Sequence, residues 1–551
     1  MTRDFGDTRG NRFGWVAVML TASLATTVLT WSASHRQSAT FDEIILVSGG
    51  VRGVTHGAWD MVTDQPPLMM WLYGWAGAGA VAETPPEDRP WDFESRWDYA
   101  RLLFFGMDND AQALLGRARL VTSLMAGGVV AAAGGLAMWA AGPAAGVLAA
   151  LLTAFMPDVL AHGGIAYNDL PLALAFLLAV WALDVVARRP GPGRGAIAGL
   201  CVAATFGMKM SALALLPIAG VVFVAEGLSR GWDRGWLRGM AGAGAVACFA
   251  AYAFLVVMYQ GDPTLTALRF NFWRTVLHTT GGHPAPAYLL GDTSAGGWWY
   301  YFPVAFLFKT PVAFQLVLAG AVAGLVATFR GRVYPFRSVC AWRGRAPLVA
   351  LVTFGAFLMR SDLNAGFRYA LPVLPLLAGV AAIGLGTWWA GAAGRAPRRS
   401  RVTGGAVAGL VMLQAVSVLS WYPHWIPFTS AWAGSRDRGW TVLADSNVDW
   451  GQGLIELRSF MEAEGVSSVS LSYFGSARPE AYGIEYVALP SFFRLSLDRT
   501  PNAEAAPRFT VISANNLLGL YMQGRDPFAA YREREPYRVL GHTLFVYDEG
   551  D

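Results

Sequence analysis

Eleven apolar stretches, most of about 15–25 residues, follow one another along this chain. They are Phe13–Ala33, Ala118–Ala140, Pro143–Ala161, Leu170–Ala187, Gly195–Met208, Met210–Ala225, Gly239–Tyr259, Pro303–Phe329, Pro347–Met359, Phe367–Ala390 and Thr403–Tyr422. A helix rises 1.5 Å per residue, so about 20 apolar residues cross a hydrocarbon core of about 30 Å. Such a chain is expected to fold as an all-α polytopic membrane bundle of about 11 transmembrane helices. The run Leu68–Ala82, after Pro66-Pro67, is too short to span and reads as interfacial or re-entrant. Composition agrees: 54% of the 551 residues are hydrophobic and 15% charged, against about 25% charged in a soluble domain. A wholly soluble enzyme, a disordered chain and a fibrous protein are excluded.

The basic residues set an orientation. Arginines cluster at Arg3/Arg9/Arg12, Arg188/Arg189/Arg194, Arg230/Arg234/Arg238, Arg330/Arg332/Arg337/Arg343/Arg345 and Arg395/Arg398/Arg399/Arg401. Eleven spans put every cluster on one side, which the positive-inside rule makes the cytoplasm. The N-terminus is then inside, on an uncleaved first span, and the C-terminus outside. Residues 1–422 form a transmembrane domain with outer loops 34–117 and 260–302. Residues 423–551 form a small extracytoplasmic α/β domain, helical at Asp445–Glu464, with short strands at Val466–Tyr473 and Phe509–Ser513. The net charge of +4 reads as membrane orientation, with no nucleic-acid partner. There is no P-loop or dinucleotide fingerprint, and the 3 cysteines have neither metal-ligand spacing nor a disulfide framework.

Chemistry-bearing residues gather on the outer side. Asp42 and Glu43, just past the first span, suit a base for an acceptor hydroxyl, a cation site, or a helix cap. Asp64 sits in D-Q-P-P-L. Asp169, in Y-N-D-L-P-L, either caps its helix or belongs to the site. Only two lysines occur, Lys209 and Lys309. Helical rise puts Lys209 about 20 Å from the inner end of its span, and Lys309 lies several residues inside the eighth span. A compact ammonium suits a lipid phosphate, and equally snorkels. Arg269 and Arg368 face outward as well. The run Gly297–Phe302 is an aromatic belt or the lining of a lipid or sugar groove. His278 and His283 have no helical ligand spacing, which leaves a divalent cation open.

Six segments in order carry a resemblance: T-F-D-E-I, D-Q-P-P-L, A-H-G-G-I-A-Y-N-D-L-P-L-A-L, Y-L-L-G-D-T-S-A-G-G-W-W-Y-Y-F-P-V-A-F-L-F-K-T-P, R-Y-A-L-P-V-L-P and L-A-D-S-N-V-D-W-G-Q-G-L. From about Phe13 to Gly483 the chain resembles bacterial members of the protein mannosyltransferase family, integral-membrane type C glycosyltransferases that use polyprenyl-phosphate sugars. Lipid A aminoarabinose transferases are more distant look-alikes. The resemblance implies the type C glycosyltransferase fold, with two helices along the outer face in the first loop. It also implies inverting transfer of a sugar from a polyprenyl-phosphate donor to a protein, glycan or lipid hydroxyl, at the outer face of the bacterial cytoplasmic (inner) membrane. Asp42 maps to the family's base, with Glu43 beside it as the second catalytic candidate. Asp64, Gln65, Asp169, Lys209, Arg269, Lys309 and Arg368 are the expected substrate-binding residues. Gln65 stands where relatives carry His or Lys, and Gly453 replaces the acid of W-G-Q-D-L. The competing readings are a transferase of another lipid-linked group and a transporter or flippase of a lipid-linked sugar. A transporter is expected to carry paired repeats and midplane polar residues, and this chain has neither.

Overall fold

The computed structural model describes residues 9–281, 286–329, 340, 342–393, 397–492, 507–522 and 526–550. Helices dominate. They are α1 (Arg9–Ser34), α2 (Glu43–His56), α3 (Leu68–Ala78), α4 (Arg96–Arg101), α5 (Ala111–Ala141), α6 (Pro143–Ala154), α7 (Pro157–Gly163), α8 (Asp169–Arg188), α9 (Pro192–Met208), α10 (Leu215–Arg230), α11 (Arg234–Met258), α12 (Thr266–Gly281), α13 (Tyr301–Lys309), α14 (Val312–Phe329), α15 (Arg345–Met359), α16 (Val373–Ala393), α17 (Pro397–Leu419) and α18 (Leu454–Glu464). Among the described residues six helices are long and apolar enough to cross a membrane, and two bent pairs raise this to eight. Apolar side chains on α1 and α17 face outward from the bundle, Leu24 at 65% exposure and Met412 at 67%. Water would oppose such a surface and lipid does not. This is a multi-pass membrane protein.

Two expected spans are broken. Pro303–Phe329 is not one helix: α13 and α14 meet at 117°. Pro311 offers no N–H and forces Thr310 into an extended conformation, with φ −111° and ψ 145°, so the helix must stop there. Lys309 is therefore at a corner, not inside a span. Pro143–Ala161 likewise bends by 63° between α6 and α7, where Pro157 opens the second piece.

The first loop supplies α2 and α3, packed on each other. Their backbones touch at Gly50 and Gly74, where a Cβ on Gly74 would lie 2.1 Å from the Gly50 carbonyl oxygen. Any larger residue would part the helices. The C-terminal region holds a five-stranded sheet of β3 (Ser468–Ser472), β4 (Glu485–Ala488), β5 (Phe509–Ser513), β6 (Arg538–Leu540) and β7 (Leu544–Asp548), after a hairpin of β1 (Ala287–Leu289) and β2 (Asp292–Ser294). The order is β4-β3-β5-β7-β6, with β3 parallel to β4 and β5, and β7 antiparallel to β5 and β6. The expected helix at Asp445–Glu464 forms only from Leu454. Before it, a short turn at Asp445–Asn447 and a left-handed Gly451 at φ 89° redirect the chain. The apolar core of α2–α4 runs on without a break into that of α18 and the sheet, with Leu46, Tyr73 and Leu114 in one cluster with Leu457, Val469 and Val546.

Candidate active site

The stretch 37–43 follows α1 as an irregular segment held by hydrogen bonds from two sides. The buried Glu43 carboxylate takes the Arg119 guanidinium in two hydrogen bonds, Nε to Oε1 at 2.8 Å and Nη2 to Oε2 at 2.7 Å. It also accepts from the N–H groups of Thr40 at 2.8 Å and Ala166 at 2.7 Å. Arg119 in turn donates to the carbonyls of Ser34, Gln37 and Ser38 at 2.6–2.9 Å. From the other side, Gln452 O accepts from Ser38 N at 3.1 Å and Trp450 O from Phe41 N at 2.8 Å. Glu43 is thereby saturated.

Its neighbour Asp42 is not. It precedes α2 and makes no side-chain cap bond, which removes the capping alternative. Its side chain is 26% exposed, and Oδ2 lies 3.4 Å from Nη1 of Arg368. Burial pushes the Asp42 carboxyl above its ordinary 3.8; Arg368 works against that, and the charges of Asp169 and Asp445 add to it.

Arg368 lies in a single turn, Phe367–Ala370, just before α16. Its Nη1 is also 3.4 Å from Asp169 Oδ2, and its buried Nε has no hydrogen-bond partner among the described residues. The guanidinium lies 4.2 Å from the ring centroid of Trp450 and 5.1 and 5.4 Å from those of Tyr369 and Tyr167. Asp169, at the start of α8, also pairs with Lys209, whose ammonium is 4.8 Å from the Tyr369 ring. Asn168 donates to Gln65 Oε1 at 2.7 Å and to Met208 O at 3.1 Å, so Gln65 braces the residue before Asp169. Asp42, Asp169, Lys209, Arg368 and, one layer out, Gln65 are thus brought together.

Two expected ligands are not. Lys309 is buried and donates to the carbonyls of Ile426 at 2.6 Å and Asn447 at 2.9 Å. It ties the α13 corner to the C-terminal region. Arg269 is exposed on α12. The inward face of that helix carries Asn271, which donates to the Thr63 carbonyl, and Arg274, 3.5 Å from Thr63 Oγ1. Arg274 and Arg96 both stack on Phe93, at 3.8 and 3.3 Å from the ring centroid. Asp64 is half-buried and is the strongest opposing charge acting on Arg96. Two guanidiniums on one ring, near Asp42, form a second cationic surface that fits an anion.

No family model matches the chain, and no curated protein does. Among solved structures it is similar to ArnT from Cupriavidus metallidurans bound to undecaprenyl phosphate, at 13% identity and TM-score 0.48, with 98% of each chain covered. It is also similar to the archaeal oligosaccharyltransferase AglB from Archaeoglobus fulgidus in complex with an inhibitory peptide and a dolichol-phosphate, at 13% identity and TM-score 0.41, covering 74% of this chain and 56% of that one.

The segment L-A-D-S-N-V-D-W-G-Q-G-L does more than its sequence indicated. Asp445, at a left-handed φ of 59°, is bound by the hydroxyl of Tyr521, and its charge acts on Asp42. Ser446 and Asn447 hold the Arg368 turn, through Ala365 O at 2.8 Å and Phe367 N at 2.8 Å. Trp450 supports Arg368 itself. Gly453 stands where a Cβ would come within 2.9 Å of the Leu544 side chain, so the acid of the family pattern would require Leu544 to shift. Arg119, Asp445 and Trp450 were not among the expected site residues. Arg119 gave one usable signal, a charge inside an otherwise apolar run. Among the described residues no group of three His, Cys, Asp or Glu is arranged to hold a metal ion. His283 and the side chain of His278 lie outside the described residues.

Proposed function

We propose that this chain transfers a sugar from a polyprenyl-phosphate donor to an acceptor hydroxyl, with inversion, at the outer face of the bacterial cytoplasmic membrane. In this reading the bundle has eleven spans, the N-terminus is inside, and residues 423–551 form a domain outside. The observation that carries it is Asp42: a carboxyl with its pKa raised by burial, still part-exposed, and facing an arginine with an unused buried donor. Asp42 takes the proton of the acceptor hydroxyl as its oxygen bonds to the anomeric carbon. The bond from that carbon to the phosphate oxygen breaks, and polyprenyl phosphate leaves as a stable anion. One base is enough, because that leaving group needs no acid. Arg368, Lys209 and the Arg96/Arg274 pair supply cations for the phosphate. Glu43 is a positioning residue, and Lys309 and Gln65 brace the frame. The motif resemblance supports the same donor class. A transporter is disfavoured because these charges collect at one end of the bundle; on α8 Asp169 lies about 22 Å from Asp184, which with Glu226 and Arg345 forms a separate ionic network toward the other end.

Lipid extraction of the purified protein tests the donor class. A polyprenyl phosphate or its sugar ester is expected to copurify, and to be lost from Arg274→Gln. Only bulk phospholipid, identical in both preparations, would refute it.

A further inference from the structure

The surroundings of Asp42 have two unlike flanks. One carries Arg96 and Arg274. The other belongs to the C-terminal region and carries aromatic rings and a carboxylate. Phe41, the residue before Asp42, stacks on Phe474 with centroids 5.4 Å apart and planes at 19°. Phe474 meets Tyr521 at 5.0 Å, and Phe492 meets Tyr521 at 4.8 Å and Phe41 at 6.0 Å. Tyr521 binds Asp445, and Asp445 lies within electrostatic reach of Asp42. The ring of contacts therefore starts and ends at Asp42.

Main-chain polar groups of Phe41, Tyr473 and Phe474 on this strip are already spent. Phe41 N donates to Trp450 O, and Phe41 O accepts from Ser476 Oγ at 2.7 Å. Phe474 N donates to Ser513 Oγ at 2.9 Å, and Tyr473 O accepts from Ser491 Oγ. A peptide docked in extended form depends on such groups for affinity. What this flank offers is aromatic faces beside one carboxylate and one phenol. A sugar ring matches that offer, with a flat C–H face for the rings and hydroxyls for Asp445. The flank's negative charge also turns away the donor phosphate, which leaves the arginine side to it.

We propose that Phe41, Phe492, Tyr521 and Asp445 form the acceptor subsite, and that the acceptor is a neutral sugar ring of a glycan. This rests on the glycosyl-transfer reading above. The test uses the full chain in detergent with radiolabelled undecaprenyl-phosphate hexoses and pentoses. A neutral oligosaccharide and a Ser/Thr-rich peptide are offered in parallel. Label is expected in the oligosaccharide. Phe492→Ala, at an exposed ring, and the near-isosteric Tyr521→Phe are each expected to raise its KM about ten-fold and leave the donor KM in place. Label in the peptide alone, or an oligosaccharide KM that neither variant moves, overturns the proposal. Donor hydrolysis by water reports on the donor reading separately: a wild-type chain that neither hydrolyses nor transfers any donor overturns that reading, and this one with it.

Discussion

The Arg368 guanidinium rests 4.2 Å from the ring centroid of Trp450, so a residue of the C-terminal region fixes a cation at the mouth of the bundle. A buried cation–π contact is worth about 2 kcal/mol. Trp450→Leu should therefore lower kcat/KM about ten- to hundred-fold, and Trp450→Phe less. The shift should fall on the donor KM. A mere folding defect would lower the amount of active enzyme and leave that KM unmoved.

The Glu43–Arg119 pair is buried on both sides, at 0% and 2% exposure. Removing one partner of such a pair costs about 3–5 kcal/mol, because the other charge is left uncompensated. Glu43→Gln should lower the melting temperature in detergent clearly. Adding Arg119→Met should restore part of the loss. Strictly additive losses would mean that the two side chains do not act as a unit.

Helical phase separates two arginines five positions apart on α12. Arg274→Gln should raise the donor KM about ten-fold or more, since a hydrogen bond to a charged group contributes about 1.5–3 kcal/mol. Arg269→Gln should leave it within about two-fold. Equal effects, measured by steady-state kinetics, would contradict the assignment of the anion surface to Arg96 and Arg274.

Much of this architecture is legible in the sequence, and the gaps have physical causes. Apolar runs located the helices, because a bilayer rewards any segment long enough to cross it. Charged residues at the ends of those runs pointed to Asp42, Asp169, Lys209 and Arg368, which do meet. The K-T-P corner was written at Thr310-Pro311, but hydropathy passes over it. Arg274 is not legible in the sequence, because composition does not reveal which face of α12 docks; Asn271, anchored on Thr63, decides that. Trp450 and Asp445 come from a segment more than 70 residues beyond Arg368 in sequence, and only tertiary packing joins them. Lys309 was a sound candidate by chemistry, yet two carbonyls occupy its ammonium.

Asp449, buried behind Trp450 and accepting from Gly451 N at 3.1 Å, has its carboxyl pushed up to about 7 by burial. Its folded value lies above its unfolded one, so the native state binds more protons between about pH 4 and pH 7. Its stabilising contribution is complete below that window and is lost as pH rises through it. Thermal stability should accordingly fall from pH 5 to pH 7.5, and Asp449→Asn should flatten that slope. A wild-type slope retained in Asp449→Asn would assign it to another group.

Asp42→Asn keeps the side chain's shape and removes its basicity, which makes its turnover the most direct measurement of the central claim. A general base contributes about 10²–10⁴-fold. Sugar transfer by Asp42→Asn should fall by that range, while polyprenyl-phosphate sugar still binds with a wild-type-like Kd. Turnover within a few-fold of wild type would contradict the account and remove Asp42 from the chemistry.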